Sequence, residues 1–74
     1  MTVKNNLYTK LVGMNVKLAR TKAGLKQEEL AEKADLSRET IGSIERGEKS
    51  PTVATLGAIA DALGIEMYKL FIFD

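Results

Sequence analysis

These 74 residues contain no cysteine, no histidine and no tryptophan. The first two absences remove disulfides, thiolate and imidazole metal ligands, and the side chain most often used as a general base. A chain without cysteine also suits a reducing, cytoplasmic setting. Aromatics are scarce, with two Tyr and two Phe, and proline occurs once, at Pro51. The longest apolar run is Leu70–Phe73, far short of the roughly 20 residues that span a bilayer. Lys4 lies near the N-terminus but no apolar h-region follows it, so no secretory signal and no membrane partner are expected. Paired carboxylates, a nucleophile beside a base, a metal-ligand cluster and a phosphate-cradling glycine loop are all missing from the sequence. An enzyme is therefore the weakest reading, and no cofactor, metal or small-molecule ligand is expected.

What remains is apolar and aliphatic. Apolar residues make up 45% of the chain, enough for one domain with one small core of Leu, Ile, Val and Ala. So small a core supplies only a few kcal/mol of net stability, which leaves room for a subunit interface to contribute. Net charge is +1, but it is unevenly distributed. Residues 1–27 carry Lys4, Lys10, Lys17, Arg20, Lys22 and Lys26 and no acid, while all ten acids lie from Glu28 onward. A polarised domain can present a basic face to phosphate while staying near neutral overall. The same pattern also fits a solvated, Lys-rich first helix.

The stretch Gly24–Gly47 holds two short amphipathic patterns joined by a tight turn. From Gln27 the first places Leu30, Ala31 and Ala34 at helical spacing, with Glu28 and Glu29 in the turn favoured by the positive end of the helix dipole. Asp35 and Leu36 break the period, Ser37 supplies an N-cap oxygen, and a second helix runs to about Arg46. There Ile41, Ile44 and Glu45 share one face, while Arg38, Glu39, Gly42, Ser43 and Arg46 point elsewhere. Two short helices with so brief a turn match the helix-turn-helix unit. Around it the sequence predicts a loose arm over residues 1–6 and a helix ending at Ala23, with Val12, Val16, Ala19 and Ala23 at core spacing. After the Glu48–Pro51 loop it predicts a helix capped by Thr52, burying Val53, Leu56, Ile59, Ala60 and Leu63, then a short fifth helix from Ile65 to about Phe71.

Beyond the motif, the chain resembles the Cro/phage-repressor (XRE-like) helix-turn-helix regulators. The residues that carry the resemblance are Arg20 with Gly24-Leu25; Gln27, Glu28, Leu30 and Ala31; Ser37, Arg38, Thr40 and Ile41; Ile44, Glu45 and Gly47; Pro51-Thr52; Leu56, Ile59 and Ala60; and Ala62–Ile65. Together they span roughly residues 11–71. The resemblance implies an all-α, compact five-helix bundle of the lambda-repressor-like type, a single domain over residues 1–74 with its helix-turn-helix at 27–46. It further implies a small regulator binding double-stranded DNA at a pseudo-palindromic operator. Phage repressors, restriction–modification controllers and antitoxin-like regulators all share the pattern. Relatives also pair the equivalents of Arg20 and Glu45, so those two residues are read as a structural ion pair.

A recognition helix over 37–46 would lay its N-terminal part against base edges in the major groove. Arg38 is the first candidate for direct readout, since a guanidinium binds guanine O6 and N7 in a bidentate way; it is otherwise an exposed helix-start residue. Glu39 can accept from cytosine N4, or simply satisfy the helix dipole. Ser43, one turn on, can reach a base or a bridging water. Gly42 has two readings, close approach to DNA or a neighbouring element packed against it. Phosphate contacts are expected from Lys26, Gln27, Ser37, Thr40, Arg46 and Lys49, at helix ends and flanks. Lys26 departs from the pattern, because relatives commonly place Ser or Thr at this cap.

Tyr68, Leu70, Phe71, Ile72 and Phe73 gather most of the aromatics into the C-terminal end, more than a small domain should expose. Residues 65–74 are therefore expected to form a homodimer interface, the other reading being that Leu70 and Phe71 close the monomer's own core. The alternative function is a protein-interaction module of the same fold that acts through a partner protein rather than DNA.

Overall fold

Short helices with good caps dictate the architecture. The computed structural model describes residues 7–73; the arm expected over residues 1–6, and Asp74, lie outside the described residues. The elements run α1 (Leu7–Lys22), α2 (Gln27–Ala34), α3 (Arg38–Glu45), α4 (Val53–Leu63) and a 3-10 helix (Met67–Phe71), with no strand among the described residues. Ser37 Oγ accepts from the Thr40 N–H and Thr52 Oγ1 from the Thr55 N–H, each at 3.0 Å, which starts α3 and α4 where their hydroxyls stand. Lys26 has no side-chain acceptor to offer α2. Only the reciprocal half of a capping box forms there, with the Lys26 N–H donating to Glu29 Oε1 at 2.8 Å.

Asp35 makes the sharp turn between α2 and α3. It adopts the left-handed conformation (φ 58°, ψ 45°) as the C-cap of α2, a region that Asp tolerates better than most residues. Its N–H donates to Glu32 O at 3.2 Å and that of Leu36 to Ala31 O at 2.8 Å, closing the helix end as in a Schellman motif.

The core draws on every element: Val12 and Val16 from α1, Leu30, Ala31 and Ala34 from α2, Ile41 and Ile44 from α3, Leu56, Ile59 and Ala60 from α4, and Leu70 from the 3-10 helix. Each fully buried Leu or Ile contributes about 1.5–3 kcal/mol of transfer free energy. At Gly13 α1 crosses α3 so closely that a Cβ would run into the Ile44 carbonyl. No other residue type allows that crossing, and it fixes how deep α3 sits on α1.

Three expectations from sequence need correction. The fifth helix is a five-residue 3-10 segment, so among the described residues the bundle has four α-helices closed by a 3-10 turn. Its N-cap, Glu66, makes no side-chain cap hydrogen bond, and so short a segment cannot offset the cost of helix nucleation. Val53 lies exposed at the first position of α4, because that turn projects past the core. Ala23 is exposed beyond the end of α1 at Lys22, so helical spacing no longer applies to it.

Candidate nucleic-acid interface

The position of α3 is set by a buried polar network. Arg20, on α1, donates from Nε to Glu45 Oε2 at 2.6 Å and from Nη2 to Glu45 Oε1 at 3.0 Å, while its Nη1 donates to the Leu25 carbonyl at 2.8 Å. Gln27, opening α2, donates from Nε2 to the same Glu45 Oε1 at 3.0 Å. One carboxylate at the C-terminal end of α3 thus ties together α1, the α1–α2 turn and the start of α2. Side-chain exposure is 13% for Arg20 and 2% for Glu45. The hydrogen bond to Glu45 raises the Arg20 pKa above its ordinary value, against a smaller lowering by burial. No buried side-chain nitrogen or oxygen among the described residues lacks a partner, so this network is satisfied as a low-dielectric interior requires.

With Ile41, Ile44 and Glu45 turned inward, α3 presents the remaining arc to solvent. Arg38 and Glu39 are exposed and Ser43 is half-buried. At about 100° per residue, Arg38, Gly42, Arg46, Glu39 and Ser43 follow one another across an arc of about 140°. Ser37 and Thr40 are linked hydroxyl to hydroxyl at 2.8 Å, so one hydroxyl proton of the pair is used internally and the other is free for an outside acceptor. Lys26 and Lys49 are exposed at the two ends of the unit. Gln27 is half-buried and one of its two amide N–H groups donates to Glu45; its backbone N–H, in the first turn of α2, has no intrahelical acceptor.

Gly42 is buried. Its cover is the Arg46 guanidinium: a Cβ at position 42 would stand 3.0 Å from Nη1. Arg46 forms an ion pair with Glu48, Nε to Oε2 at 3.0 Å, with both side chains 58% exposed. Through hydrogen bonding and its charge, Arg46 holds the Glu48 carboxyl below the usual carboxylate range.

At the C-terminal end the expected interface residues divide. Leu70 is 1% exposed and belongs to the monomer's core. Phe73 is half-buried and its ring lies 6.1 Å from that of Tyr8, while Tyr68, Phe71 and Ile72 are exposed. Asn15, which sequence reasoning missed, clamps this segment to α1 by donating from Nδ2 to the Leu70 and Ile72 carbonyls, both at 2.9 Å. Among the described residues no group of His, Cys, Asp and Glu could hold a metal, and no helix is long and apolar enough to cross a membrane.

Known proteins share this arrangement. A helix-turn-helix family model (HTH_3) matches residues 16–70. An uncharacterised HTH-type transcriptional regulator of Sinorhizobium fredii is 43% identical over 61 residues, covering 82% of this chain and 79% of its own length. The immunity repressor protein of Bacillus phage phi105 is 46% identical over 56 residues, covering 76% of this chain but only 39% of the repressor. Among solved structures, the restriction-modification controller protein C.AhdI from Aeromonas hydrophila superposes with a TM-score of 0.84 at 35% identity, covering 85% of this chain and 96% of that one. The chain belongs to the helix-turn-helix family.

Proposed function

From that membership we propose that the chain is a small, dimeric, sequence-specific regulator of transcription, most simply a repressor or autoregulator, that reads double-stranded DNA through α3. The whole chain then acts as one DNA-binding domain, with residues 27–46 as the reading unit and residues 65–74 as the dimerisation segment. The observation that carries this reading is the pairing of a rigid mount with an unspent polar face. The Arg20–Glu45–Gln27 network holds α3 from behind, while Arg38, Glu39 and Ser43 face outward.

Arg38, the first residue of α3, is placed for bidentate contact with a guanine edge, and Glu39 and Ser43 for neighbouring bases. The orphan N–H groups of the first turn of α2, with Lys26 beside them, suit one phosphate; the free hydroxyl of the Ser37–Thr40 pair and Lys49 suit others. Exposed Tyr68, Phe71 and Ile72 supply an apolar surface for a two-fold partner. In such a dimer the two α3 helices would face half-sites about 34 Å apart on a pseudo-palindromic operator. Leu70 contributes to the interface only by holding the segment in place.

Selection from a randomised duplex library at a stated salt concentration tests the reading, with the native chain and Arg38→Ala run in parallel. A two-fold motif enriched by the native chain and altered by the variant is the expected result. No enrichment, with only weak salt-sensitive binding, would favour a module that acts through a protein partner. Sedimentation of Ile72→Asp tests the dimer: a monomer with native thermal stability is expected, and an unchanged dimer would remove that interface.

A further inference from the structure

We infer that Arg46 is a base-reading residue, with Gly42 as the notch that seats its guanidinium and Glu48 as the residue that positions it. This rests on the proposal that α3 reads DNA. Sequence position alone puts Arg46 at the end of the recognition helix, where a phosphate contact is the natural expectation. The structure moves its working end elsewhere. Side chains on a helix lean toward its N-terminus, and the Arg46 side chain lies back across the preceding turn onto Gly42. A Cβ there would stand 3.0 Å from Nη1 and 3.7 Å from Cζ, so glycine lets the guanidinium settle closer than any other residue would.

The seat is in the middle of the exposed arc, between Arg38 on one side and Glu39 with Ser43 on the other. Glu48 Oε2 lies 3.0 Å from Nε as an ion pair. Nη1 and Nη2 have no protein acceptor among the described residues. These two nitrogens form the edge of the fork that meets guanine O6 and N7. Glu48 therefore biases the guanidinium toward the Gly42 seat while leaving its reading edge unspent, and part of the cost of ordering a long side chain is met before DNA arrives. The phosphate role expected for Arg46 gives way to direct readout.

Arg46→Lys separates the two roles, because lysine keeps the charge that a phosphate needs but lacks the planar fork. Duplex selection is run on the native chain, Arg46→Lys and Gly42→Ala, each first shown by thermal unfolding to be folded. For Arg46→Lys the preference at one base pair of each half-site is expected to fall about 5- to 100-fold, the other positions keeping theirs. Gly42→Ala, which makes the guanidinium shift on its seat, is expected to relax the same position to a smaller degree. A motif unchanged in Arg46→Lys, with affinity lowered uniformly or not at all, overturns the readout role; an unchanged motif in Gly42→Ala overturns the notch. A native chain that enriches no motif fails the proposed function itself and this inference with it.

Discussion

Glu45 and Arg46 are neighbours in the chain and each is half of an Arg–Glu pair, yet the two pairs sit in opposite surroundings. Glu45 meets Arg20 inside the bundle, with side chains 2% and 13% exposed; Arg46 meets Glu48 on the surface, both 58% exposed. The inner pair has a third partner in Gln27 and joins elements far apart in sequence. The outer pair joins residues two apart and holds nothing else together. Similar functional groups thus do two kinds of work within two residues. Burial makes the first pair a mount for α3, because a buried charge that loses its partner is costly. Exposure makes the second a poised donor, because a surface pair is screened and weak.

The comparison can be broken at its strongest point first. Glu45→Ala is expected to destabilise the fold by about 3 kcal/mol, the low end of the range for a broken buried pair, since Arg20 can partly rehydrate. In a domain of this size that lowers the melting midpoint by at least about 12 °C, and DNA binding should disappear with the mount. Asn15→Leu comes next. It leaves the part-buried Leu70 carbonyl without its donor and the exposed Ile72 carbonyl to water, and a loss of about 1 kcal/mol is expected in urea unfolding. Ser37→Ala removes the cap of α3 at a cost of about 1 kcal/mol, and in filter binding it should weaken affinity for every duplex sequence alike. The smallest stability effect is expected at the outer pair. Glu48→Gln should leave the melting midpoint unmoved, at low salt as at 1 M NaCl (an ionic strength at which screening reaches within about 3 Å). A clear fall at low salt would show that the outer pair is also structural.

Much of this was legible in the sequence, and the reasons differ by element. Helices α2 and α3 and the caps at Ser37 and Thr52 followed from local chemistry, namely apolar spacing and hydroxyls ahead of helix starts. The fifth helix did not, because its period matched but its length and cap fell short, and only the competition with a 3-10 turn decides that. Contacts between distant residues were less accessible. Asn15 resembles any polar residue on a solvated helix face until the C-terminal carbonyls arrive over it, and nothing local in the sequence ties the Gln27 side chain to Glu45. A signal for Gly13 existed, a glycine inside an otherwise strong helix pattern, though not one that said which element approaches. Gly42 carried the same signal, and its nearest cover is the side chain of Arg46 from the next turn of α3, a contact that helical spacing does not announce.

The most direct test of the account is a thermal unfolding comparison of Glu45→Ala with Arg46→Ala, two truncations at adjacent positions of the same helix. A melting midpoint lowered by at least about 12 °C is expected for Glu45→Ala, and a native midpoint for Arg46→Ala. Equal losses, or a stable Glu45→Ala, would contradict the division between a buried mount and an exposed reader.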